Sequence, residues 1–182
     1  MKFIETKIPG CFEIIPLMHK DIRGLFVKTF HKEVFQKYQL NTQWEEDFFS
    51  VSRKGVLRGL HFQLPPKNHA KLVYCLAGEA IDAVVDLRKG SPTFGCNITL
   101  TLSAKKANML YVPSGLAHGF YSLSDHLIMM YKTSTAYSPP HDTGILWCSA
   151  GIQWPTQNPI LSPRDSGFIR FESFNTPFNF TR

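Results

Sequence analysis

The chain has 182 residues, 43% of them hydrophobic and 19% charged, with a formal net charge of +6. That length suits one domain over 1–182 with a core of its own, and the composition excludes a disordered chain. No apolar run reaches membrane-span length and Met1-Lys-Phe-Ile-Glu-Thr6 has no apolar signal core, so a cytoplasmic protein without membrane partners is expected.

In chain order, strands are expected over 12–17 and 25–30, then a helix over Lys32–Gln39, where Val34, Phe35 and Tyr38 form a narrow apolar stripe. Further strands are read at 48–53, 56–62 and 72–77. Glu79–Arg88 alternates, with Ile81, Ala83, Val85 and Leu87 on one face and Asp82, Asp86 and Arg88 on the other, Val84 being the exception. After a Gly/Pro loop the pattern resumes over Cys96–Leu102, and 108–112, 117–122 and 127–133 complete the set. About ten short strands with little helix imply an all-β antiparallel sandwich or barrel. The tail, about 170–182, is rich in Phe and Asn without a clear period, and its order is left open.

Lys and Arg are scattered, without a basic run, so the positive charge fits a small phosphorylated ligand at least as well as nucleic acid. The four cysteines, Cys11, Cys75, Cys96 and Cys148, have neither zinc spacing nor a disulfide framework and are read as buried or semi-buried free thiols. The segment Arg58-Gly-Leu-His61-Phe-Gln63 sets a histidine in an apolar strand. Arg58 and His61 are three apart, so a regular strand would turn them to opposite faces. If both line one pocket, the strand must bulge or bend near Gly59.

Pro113-Ser-Gly115-Leu-Ala-His118 has the spacing of the second cupin motif. The first motif normally holds a second histidine, but Phe62 and Gln63 follow His61, so too few ligands remain for a metal and none is expected. With cupin architecture and no metal set, the chain resembles the dTDP-4-dehydrorhamnose 3,5-epimerase family. The matching residues run in order through Asp21-Ile-Arg23-Gly24-Leu-Phe26, Lys54–Pro66, Lys71-Leu-Val, Val85–Gly95, Val112–Phe120 and Tyr131-Lys-Thr. They continue through Tyr137-Ser-Pro, Gly144–Trp147, Ile152–Pro155 and Ile160–Asp165.

The resemblance implies a cupin-type jelly roll with a few short helices and a cofactor-independent epimerase acting on a nucleoside-diphosphate 4-keto-6-deoxy sugar. It implies that His61 is the base with Asp165 as its partner, Tyr131 the acid on the opposite face, and Lys71 the stabiliser of the enolate. A carboxylate beside the imidazole is expected to raise its basicity. Arg23, Arg58, His118 and Arg164 are implied ligands of phosphate or sugar oxygens, and Phe26 and Gln63 join the binding set. A homodimer with exchanged N-terminal strands is implied too, with which the apolar Phe3, Ile4, Ile8 and Phe12 are compatible.

The chain departs from the family at Lys28, where Glu is usual, and at Glu46-Asp47-Phe48, where Gln-Asp-Asn is usual. Asp142 shortens a usual Glu and Arg164 replaces a usual Lys. These positions bear on the substrate: Phe48 could stack on a base and Lys28 contact a phosphate, so the nucleotide and the number of inverted centres stay open. A 3,4-ketoisomerase on the same scaffold is the alternative enzyme, and a non-catalytic sugar-nucleotide binding module the alternative from another class. His19, His31, His69, His126 and His141 are read as surface or structural residues.

Overall fold

The computed structural model describes residues 1–181 and shows thirteen strands with little helix. The strands are β1 (Lys2–Glu5), β2 (Phe12–Ile15), β3 (Met18–Asp21), β4 (Gly24–Val27), β5 (Glu46–Ser52), β6 (Leu57–Gln63) and β7 (Lys71–Ala77). They continue as β8 (Glu79–Asp86), β9 (Asn97–Ser103), β10 (Met109–Val112), β11 (Leu116–Ser122), β12 (Leu127–Thr133) and β13 (Asp142–Gly144). Helix α1 covers Lys32–Lys37, shorter than expected, and α2 covers Pro163–Ser166. Ser162 starts α2 by accepting the Asp165 N–H, and Pro163 supplies a first-turn residue that needs no backbone donor.

Two antiparallel sheets form the body. One has the order β1-β2-β10-β7-β12-β5 and the other β13-β6-β11-β8-β9. Between them lies an apolar layer that includes Val73, Leu110, Leu127 and Met129 from the first sheet and Val84, Leu102, Leu116 and Phe120 from the second. The outer face of the first sheet is covered around Phe35 of α1, with Leu72, Tyr74 and Met109 beneath it. The outer face of the second is covered by the C-terminal third of the chain, through Trp147, Ile152, Trp154 and Phe178.

That cover bears out the two faces read for β8 and shows what each packs against. Its apolar face, Ala83 and Val85, packs under the C-terminal segment, while Asp82 and Asp86 are fully buried on the other. Each carboxylate has partners that make this possible: Asp82 bonds His118, and Asp86 accepts from Arg88, Ser91 and Thr93. A strand covered on both faces cannot show a polar outside.

The tail is docked. Thr176 Oγ1 donates to Leu87 O at 2.6 Å, Lys89 N–H to Phe178 O and Phe180 N–H to Lys89 O. The opening strands lie at the edge of the first sheet, where β1 pairs β2 and β2 pairs β10. The element that stands apart is the β3–β4 hairpin, whose two strands form a sheet of their own and expose Leu17, Met18, Ile22, Leu25 and Phe26. No helix among the described residues is long and apolar enough to cross a membrane.

Candidate active site

The strand β6 carries the irregularity that the spacing of Arg58 and His61 demands. Opposite it on β11, His118 pairs with His61 and Phe120 with Arg58, so the two residues between Arg58 and His61 face the single residue Gly119. The extra residue restores phase: Leu57 and Leu60 both reach the outer core, and Arg58 and His61 both turn inward. Gly59 has φ +137°, and a Cβ there would stand 2.6 Å from the Gly119 Cα. Only glycine fits.

Arg58 and His61 line a cavity of about 770 Å³ at one end of the inter-sheet space. The first sheet contributes side chains by alternation. Lys71 stands opposite Thr133, and Thr133 opposite Glu46; one row on, Tyr131 stands between Val73 and Phe48. Of the residues read from sequence, Lys71, Tyr131, Phe48, Asp47, Gln63, His118, Asp142 and Arg164 also border the cavity, and Asp165 lies directly behind His61. Arg23, Phe26 and Lys28 lie on or beside the projecting hairpin and do not line it; Arg23 pairs with Asp21 at 2.5 Å.

His61 and Asp165 are the central pair. His61 Nε2 lies 2.8 Å from Asp165 Oδ1, while Oδ2 accepts the Gly59 N–H at 3.0 Å. Asp165 is 3% exposed; burial alone would raise its pKa, but the hydrogen bonds from His61 and Gly59 hold it below the usual carboxylate range. An ionised Asp165 fixes the proton of neutral His61 on Nε2 and leaves Nδ1 as the acceptor. Burial sets the direction for His61 itself: the ring is held below its ordinary pKa, against the pull of Asp165. Asp165 pulls the ring upward as expected, but desolvation of the imidazolium outweighs that one partner.

Lys71 is 8% exposed and donates to His61 O at 3.1 Å. Burial lowers its pKa to about 8, with Asp142 and Asp82 opposing. Tyr131 lies on the interior face with Leu127 and Met129 and still reaches the cavity, since the cavity continues that interior. Burial pushes its phenol upward, so it holds its proton. Phe48 stacks on it, with centroids 4.8 Å apart and planes 13° from parallel.

Several residues read as substrate ligands are engaged inside the protein. Gln63 Oε1 accepts the Ser138 N–H and its Nε2 donates to Lys67 O, so the amide ties two loops together. His118 Nε2 is held by both oxygens of Asp82 at 3.0 and 2.9 Å. Asp47 pairs with Lys132 and Arg164 with Asp142 at 2.6 Å. Arg58 donates to Ser52 Oγ and Val51 O.

Two residues escaped the sequence reading. His69, read as surface or structural, lines the cavity two positions before Lys71, and burial lowers its pKa to about 3. Its Nδ1 faces Gln63 Nε2 at 3.2 Å. Phe168 packs edge-on against His61, centroids 5.6 Å apart. The position of His69 two residues before Lys71 was the available signal for it; nothing in the sequence pointed to Phe168.

The sequence profile of the dTDP-4-dehydrorhamnose 3,5-epimerase family matches residues 5–173. The chain belongs to that family. Among curated epimerases of this name, that of Shigella flexneri is 45% identical over 94% of this chain and 96% of its own. The crystal structure of the Bacillus anthracis epimerase with TDP and pyrophosphate bound superposes with a TM-score of 0.90, at 40% identity, covering 93% of this chain and 98% of that one. The Legionella pneumophila 3,5-epimerase in complex with dTDP-4-keto-L-rhamnose gives 0.94 at 34% identity, covering 99% of each chain. The two-sheet body is the cupin-type jelly roll of the dTDP-4-dehydrorhamnose 3,5-epimerases, with His61, Lys71 and Tyr131 facing one end of its interior.

Proposed function

We propose that this chain is an isomerase that inverts C3, C5 or both in a nucleoside-diphosphate 4-keto-6-deoxy sugar, as a cytoplasmic step of deoxysugar biosynthesis. The observation that carries the reading is the His61–Asp165 pair at 2.8 Å, set in one cavity with an ammonium and a protonated phenol. The protons flanking a ketone are weakly acidic because the carbanion delocalises onto oxygen. His61, neutral and with Nδ1 free, takes such a proton; Asp165 stabilises the imidazolium that results. Lys71 carries positive charge to the developing enolate oxygen. Tyr131, which keeps its phenolic proton until then, gives it to carbon from the opposite face and takes up another from solvent, while His61 releases its own to solvent.

The nucleotide end draws on Arg58 and Arg164, whose guanidinium groups suit phosphate oxygens. Arg164 would have to exchange Asp142 for substrate. We further propose a homodimer in which the β3–β4 hairpin of one copy reaches the cavity of the other, bringing Arg23, Phe26 and Lys28 to the substrate. The support is the hairpin itself: it leaves its own sheets and exposes an apolar surface, with Phe26 60% accessible.

The test is incubation with dTDP-, CDP- and GDP-linked 4-keto-6-deoxy sugars, followed by NMR of the product's configuration at C3 and C5. Inversion at either centre supports the assignment, and a carbonyl moved to C3 would replace it with ketoisomerisation. Unchanged sugar with all three nucleotides would refute catalysis.

A further inference from the structure

We propose that Phe168 is a positioning residue for His61, holding the imidazole on Asp165 so that Nδ1 is the nitrogen left to the cavity. The kinetic part rests on the reading of His61 as the base; the geometric part does not.

Four contacts carry it. The Phe168 ring stands edge-on to the His61 ring, 76° between planes. Its seat exists because residue 144, directly opposite His61 on β13, is glycine: a Cβ on Gly144 would stand 2.5 Å from the Phe168 ring. The Arg164 guanidinium covers the ring, 5.2 Å from its centroid, and is tied in turn to Asp142 of β13. The same short segment delivers Asp165, so one turn of chain supplies both the carboxylate on Nε2 and the wall beside the ring.

A hydrogen bond at one nitrogen leaves an imidazole free to pivot about that bond, and a flat apolar neighbour restricts the pivot. It also displaces water from one side of the ring, which disfavours the imidazolium. The charged or titratable groups around His61 are Asp165 and Arg164 from α2, Lys71 from β7 and His118 from β11, with Arg58, His69, Tyr131 and Asp142 lining the same cavity. Of these Asp165 favours the charged form while Lys71 and Arg164 oppose it, so the wall acts in the same direction as the two cations.

The experiment is an NMR titration of the His61 ring nitrogens in the wild type, Phe168→Ala and Phe168→Leu, with deuterium exchange into the keto sugar measured on the same proteins. Removing the wall should raise the His61 midpoint toward its ordinary value. Exchange should slow about tenfold as the ring loses its orientation. Phe168→Leu should fall between, and it carries the test alone if the alanine variant does not fold. An unchanged midpoint in the folded variants overturns the proposal. If the wild type exchanges no deuterium, the assignment of His61 as base fails, while the titration still decides whether Phe168 orders the ring.

Discussion

His61 Nε2 and Asp165 Oδ1 lie 2.8 Å apart although 104 residues separate them, and the other Asp165 oxygen holds the backbone of Gly59 in the same strand as His61. One carboxylate thus fixes both the tautomer of the histidine and the bulge that turns it inward. Asp165→Asn should therefore lower turnover by about a hundredfold or more, since an amide cannot offset the imidazolium charge. Asp165→Ala should in addition cost about 1–3 kcal/mol of stability by leaving the Gly59 N–H without an acceptor. Steady-state kinetics and denaturant unfolding of the two variants separate these effects.

In the proposed reaction Lys71 acts as an ammonium. Its pKa of about 8 places the loss of the ammonium within an accessible range, so kcat/KM should fall as pH rises above about 8. In Lys71→Arg that basic limb should move upward, because guanidinium stays charged. A limb that stays in place would assign it to another group.

Tyr131→Phe should separate proton removal from proton return. Exchange driven by His61 should persist while inversion falls by about a hundredfold. Equal loss of both, read from deuterium content and product configuration together, would place Tyr131 outside the proton path.

The stability of the protein should fall on acidification below about pH 6.5, and the sign follows from the two histidines. Both His61 and His69 are held below their ordinary values by burial, so between those values and about 6.5 the unfolded chain binds more protons than the folded one. Stability then drops as pH falls, for His69 down to about 3. Asp165 adds to the loss at the acid end: its contribution is present above the unfolded carboxylate value and vanishes as pH falls through the depressed folded one. Thermal unfolding of His69→Gln should show a flatter pH dependence than the wild type.

Much of this was legible in the sequence for a local reason. The alternation of β12 and the apolar setting of His61 located those strands, and the three-residue step from Arg58 to His61 required the bulge at Gly59. What escaped depended on the third dimension. Alternation separated the two faces of β8 but not their surroundings: its apolar face is covered by residues some 60 positions later, and its carboxylates are buried too. The pKa of His61 is a balance between burial and a partner, and sequence supplied only the partner. The hairpin at Met18–Val27 carries strand residues without an internal core, so no periodicity announced that it would leave the body.

Gly59→Ala probes the bulge directly. Positive φ and a contact at 2.6 Å with backbone leave no room for adjustment, so a loss of about 2–4 kcal/mol is expected, with activity falling as Arg58 or His61 is turned out of the cavity.

The central claim is that His61 removes a proton from carbon next to a ketone. Incubating the protein in deuterated water with a nucleoside-diphosphate 4-keto-6-deoxy sugar and reading deuterium at C3 and C5 tests it most directly. The account predicts incorporation at one or both centres by the wild type and none above background by His61→Ala. Exchange that continues undiminished in His61→Ala would contradict it.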